Sequence, residues 1–74
     1  MRRLLRETRT KRWVTANGTL SSDLLEAVEL TDVGHALRLC REHKLRGMEI
    51  VLKFEREELD VVLSMGDSEN QSKD

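Results

Sequence analysis

The chain reads as an α+β protein, a small antiparallel sheet in the order β-β-turn-α-β-β with one helix packed on one face. Three observations predict this. Asn17-Gly18 lies between short runs containing Thr and Val, residues 31–44 carry one amphipathic helical pattern, and residues 48–65 alternate apolar and polar on either side of a charged turn. Residues 1–12 and 66–74 fall outside these patterns. They are expected as a flexible basic N-terminal arm and a disordered polar tail, leaving residues 13–65 as the single α+β domain.

The arm, MRRLLRETRTKR, holds Arg2, Arg3, Arg6, Arg9, Lys11 and Arg12 against one anion, Glu7. With a net charge of −1 for the whole chain, an arm at +5 stands against a body at −6. These six cations are the candidate phosphate contacts.

In RWVTANGTLSS, Asn-Gly supplies the two residues that adopt positive φ at least cost, so a two-residue type I′ hairpin is expected. Pairing Ala16 with Thr19 then sets Thr15 opposite Leu20 and Trp13 opposite Ser22, with Trp13 and Leu20 sharing the core face. Asp23 followed by Glu26 has the spacing of a capping box and predicts a helical turn over 23–28.

Thr31 is the expected cap of the main helix, TDVGHALRLCREHK. On its wheel Ala36 and Cys40 centre an apolar stripe flanked by Val33, Leu37 and Leu39, while Arg38, Arg41 and Glu42 point away. Leu45 reads as the apolar residue that folds back after a stop near Lys44.

Over MEIVLKFEREELDVVLSM, a helical reading scatters the apolar residues around the wheel, whereas two strands gather them. Met48, Ile50, Leu52 and Phe54 fall on one face, as do Leu59, Val61, Leu63 and Met65. A four-residue loop, 55–58, pairs Phe54 with Leu59, Leu52 with Val61, and Ile50 with Leu63. The other face then pairs Lys53 with Asp60 and Val51 with Val62. One helix covers one face only, so Val51 and Val62 are expected exposed on the other, as a candidate protein interface.

Chemistry-bearing constellations are sparse. Cys40 and His43 stand three apart on the helix, but His35 lies about 140° round from Cys40, and paired Cys or His motifs of a zinc site are missing. Cys40 is expected to be a small buried hydrophobe rather than a nucleophile. The carboxylates of Glu55, Glu57 and Glu58 cluster on a solvated turn, and the four glycines are isolated, so no phosphate-cradling loop is read. No catalytic residue, cofactor, metal or small-molecule substrate is expected. One cysteine, no secretory signal and no membrane-length apolar run predict a cytoplasmic protein without a membrane partner.

A chain of 74 residues buries only about 60% of the surface it exposes when unfolded, which favours association. The function expected is therefore a non-enzymatic binding module that contacts another protein or a second copy of itself as a homodimer. The alternative is nucleic-acid binding through the arm, whose cations would give salt-dependent affinity for phosphates.

Overall fold

The computed structural model describes residues 1–65, and the tail expected over 66–74 lies outside the described residues. A five-stranded antiparallel sheet carries one α-helix. The strands are β1 (Arg2–Glu7), β2 (Trp13–Val14), β3 (Leu20–Ser21), β4 (Met48–Lys53) and β5 (Val61–Ser64), and the helix is α1 (Val33–His43). Their order across the sheet is β3-β2-β1-β4-β5. The mixed α+β class holds, with one strand more than the sequence suggested.

That extra strand is the segment expected as a flexible arm. Residues 2–7 form β1, the middle strand of the sheet, in six-residue register with β4 from Arg2↔Lys53 to Glu7↔Met48. Leu4 and Leu5 are both fully buried, one on each face. The physical reason is that a strand covered on both sides needs consecutive apolar residues at its centre, and RRLLRE has them, as does Ile50-Val51 in β4. Alternation is the mark of a half-exposed strand, so its absence here hid β1 among the cations.

Leu5 belongs to the main core, with Val14, Leu30, Ala36, Leu39, Met48 and Ile50, and Leu20, Cys40, Leu45 and Leu52 pack at its margin. α1 contributes Ala36 and Leu39 as buried residues and leaves Val33 and Leu37 about half exposed, so its stripe is narrower than the wheel suggested. The cap of α1 is Asp32, one residue later than expected, with its carboxylate accepting from the His35 backbone N–H at 2.8 Å. Lys44 ends the helix in the left-handed region (φ 56°), and Leu45 folds back with its N–H on the Cys40 carbonyl at 2.9 Å.

The β2–β3 hairpin is one residue out of the expected register. Trp13 pairs with Ser21 and Val14 with Leu20, and the Gly18 N–H bonds the Thr15 carbonyl at 2.9 Å. Only Gly18 takes positive φ (82°) in this loop, while Asn17 does not, which describes a three-residue turn closed by a glycine bulge rather than a type I′ pair. A one-residue slip flips every side chain. Val14 is therefore the buried residue, and Trp13 sits on the face opposite α1, with the Arg6 guanidinium 5.4 Å from its ring centre.

After a short 3-10 turn, Leu24–Glu26, residues 27–30 complete the edge of β1 beside β2. Ala27 bridges Thr15, Glu29 bridges Leu4, and the Leu30 N–H bonds the Arg3 carbonyl at 2.6 Å. The reciprocal capping box does not form: Asp23 accepts from the Leu25 N–H, but Glu26 accepts from the Ser21 hydroxyl at 2.5 Å.

The β4–β5 register is the expected one, Ile50↔Leu63, Val51↔Val62 and Leu52↔Val61. The ladder stops before Phe54↔Leu59, because Phe54–Asp60 turns through a 3-10 segment, Glu57–Leu59. Asp60 supplies the turn chemistry that Gly or Asn would otherwise give. Its two oxygens accept from the Lys53 ammonium at 2.8 Å and the Phe54 N–H at 2.9 Å, which holds its carboxyl below the usual aspartate range.

Candidate functional site

Two places carry chemistry that the core does not absorb. Among the described residues they are the cationic hairpin around Arg6 and the outer edge at β5.

On the sheet face away from α1, the register aligns Ser21, Trp13, Arg6, Glu49 and Ser64 in one row across all five strands. Glu49 is 4% exposed, the buried charged residue of the described chain. Its Oε2 takes the Arg6 Nε at 2.6 Å and Nη2 at 2.5 Å, with the Lys11 ammonium 3.7 Å away, and its Oε1 accepts from the Thr8 hydroxyl at 3.2 Å. Burial pushes the Glu49 carboxyl upward, but the Arg6 bonds and charge, the Lys11 charge and the Thr8 bond outweigh it and hold it below the ordinary range. This cluster fastens the β1–β2 hairpin to β4.

The six candidate phosphate contacts are thus divided. Arg6 is committed to Glu49 and Trp13; Arg2 lies 3.6 Å from Glu29; Arg3 donates to the carbonyls of Leu30 at 3.3 Å and Thr31 at 2.9 Å, the last turn of chain before α1. Arg9, Lys11 and Arg12 remain exposed on the turn between β1 and β2. Lys11 holds that turn in the left-handed region (φ 63°), with its N–H on the Glu7 carbonyl. Glu7, Thr8, Arg9, Arg46 and Gly47 line an open depression of ≈ 330 Å³ where this turn meets the strand entering β4, joined by the Thr8 N–H to the Gly47 carbonyl at 2.8 Å.

The candidate protein interface is divided too. Val51 is 2% exposed, contrary to expectation, because β1 runs beside it and sets Leu4 against it across the ladder. Val62, one strand further out, is 48% exposed. Its neighbours Val61 and Leu63 are 41% and 44% exposed on the other face, so α1 does not cover this edge. β5 is the last strand of the sheet, and no strand lies beyond it among the described residues.

Cys40 is half-buried, and burial pushes its thiol up, away from nucleophilic reactivity. Among the described residues no three His, Cys, Asp or Glu side chains converge in a way that could hold a metal ion. No described helix is long and apolar enough to cross a membrane.

The residues missed from the sequence are Glu49, Trp13 and Thr8, on the face away from α1. The adjacent leucines of β1 would have pointed to them, since placing Leu4-Leu5 centrally forces Arg6 beside the strand that carries Glu49. No family model, curated protein or solved structure matches the chain.

Proposed function

We propose that this chain is a non-enzymatic protein-interaction module that accepts an extended segment of a partner at the outer edge of β5, the last strand among the described residues. The observation that supports the reading is the state of that edge. Val61–Ser64 is four consecutive exposed residues, three of them apolar, at a sheet boundary. Exposed edge strands ordinarily carry a Lys, a Pro, a bulge or very short length to prevent pairing with another chain. The opposite edge, β3, is two residues long and so protects itself. Among the described residues β5 carries no Lys, Pro or bulge, and main-chain pairing with side chains seated on both faces is how sheet edges bind peptides.

The test is selection of extended peptides from a random display library on the immobilised full chain. Enrichment of alternating apolar sequences that is lost with Val62→Lys supports the reading. Peptides enriched equally by both proteins, or none at all, overturn it.

Nucleic-acid binding is the second reading, favoured by Trp13, which lies half-buried outside the core on the face away from α1. In this form Arg9, Lys11 and Arg12, the exposed cations of the β1–β2 turn, would meet phosphate, since Arg6 is bonded to Glu49 and Arg3 to backbone carbonyls. Neutralising those three to Gln should abolish retention of a single-stranded oligonucleotide at low salt. Unchanged retention, or none by the parent chain, removes this reading.

A further inference from the structure

We infer that the segment β5 accepts is an alternating apolar stretch followed by Lys or Arg, running antiparallel to β5 so that its cations lie against the acidic turn at residues 55–58. This rests on the reading of β5 as a strand-accepting edge and adds the chemistry and direction of the occupant.

The argument is the charge that an added strand meets. Such a strand lies about 5 Å outside β5, with one end beside Val61 and the turn before it. In that turn Glu55, Glu57 and Glu58 are exposed against one cation, Arg56, which is itself bonded to Glu58, so the turn carries a net charge of −2. Lys53 and Asp60, on either side of it, neutralise each other at 2.8 Å. At the Ser64 end the charges balance. Lys44 and Arg46 precede β4, Arg46 with an interaction of its own, while Asp67, Glu69 and Asp74 follow β5 in the sequence together with Lys73. The cations of the β1–β2 turn are remote, because β1 is three strand spacings from an added strand, about 14 Å, and charges are screened beyond about 10 Å at 0.1 M salt. The edge is therefore acidic at one end and near neutral at the other, which a cation on the turn side of the occupant complements.

Between those ends β5 is uncharged, with Val61 and Leu63 on one face and Val62 on the other, so apolar residues at alternating positions of the occupant find apolar neighbours. Direction follows from the sheet. Its named strand pairs are all antiparallel, and antiparallel pairing is the more stable per residue. β5 leads away from the turn, so an antiparallel segment reaches the turn with its C-terminal end, and the cations follow the apolar positions. A second copy of β5 does not meet this pattern, since the chain is net acidic on both sides of that strand.

Three capped peptides test the inference: an alternating Val-Thr run followed by lysines, the same run followed by glutamates, and the same run preceded by lysines. Each is titrated into the full chain, with the amide NMR signals of Val61–Ser64 reporting occupancy of the edge. At about 0.1 M salt the first should bind about threefold to tenfold tighter than either of the others, as two exposed ion pairs supply. The difference should close at about 1 M salt. Glu55→Gln combined with Glu57→Gln should abolish it at low salt. Equal binding of all three peptides, tighter binding of the one that begins with lysines, or a preference that survives both substitutions overturns the inference and leaves the strand-accepting reading standing. If no peptide moves the signals of Val61–Ser64, both fall.

Discussion

Arg6 shows how much one side chain can hold. It stands in the central strand, bonds the buried Glu49 on one side and covers Trp13 on the other, so it joins β2, β1 and β4 across one row. Arg6→Met removes the hydrogen-bonded cation from a carboxylate that is 4% exposed, leaving the more distant Lys11 as a cationic partner. A loss of about 3 kcal/mol in urea unfolding is expected, a large share of the stability of so small a domain. Gly18 is demanding for a different reason. It adopts φ 82°, and a Cβ there would come within 2.3 Å of the His43 ring. Gly18→Ala should therefore cost about 1–3 kcal/mol, read from the same unfolding curve, with His43 displaced.

At the scale of single elements, α1 is fixed at both ends by local chemistry. The residue that caps its C-terminal end, Lys44, holds a left-handed conformation that an ordinary side chain resists. Lys44→Gly should stabilise the protein by about 1 kcal/mol, measurable as a raised melting temperature. This element and the β4–β5 ribbon were the most legible from sequence. Each is specified by contacts close along the chain: Asp32 with His35, Lys44 with Cys40, Lys53 with Asp60. The Asn-Gly turn was legible as a turn but not in its type. The choice between a two-residue and a three-residue loop was made by the pairing of Val14 with Leu20 in the core, and the other register would have buried Trp13 in its place.

For the whole molecule, the consequence of a buried ion cluster is acid sensitivity. The Glu49 carboxyl is held lower in the folded chain than in the unfolded one, so at acid pH the unfolded state binds the extra proton. The stabilisation it gives is complete at neutral pH and is lost as pH falls through the folded-state value. Asp60 acts in the same direction. Urea unfolding followed from pH 7 downward should show stability declining below the ordinary carboxylate range, and Glu49→Gln should flatten that decline. Invariant steepness in the Gln variant would place the acid sensitivity elsewhere. Removal of residues 1–7 is the broader test of architecture. Because β1 lies between β2 and β4, the truncated chain should show no cooperative thermal transition by circular dichroism, rather than a folded body that has merely lost a basic arm.

The amino-acid order by itself determined the α+β class, the extent of the helix to within a residue or two at each end, and the register of β4 with β5. These follow from periodicity and from partners a few residues apart. The tertiary structure alone decided that the first strand is central, that Val51 is covered while Val62 is not, and that Arg6 is spent on a buried carboxylate. Each of those depends on β1 meeting β4 more than forty residues away, as Arg6 meets Glu49 at a separation of 43. A basic segment with two adjacent leucines is equally well suited to solvent or to the middle of a sheet until a neighbouring strand supplies hydrogen bonds and a counter-charge.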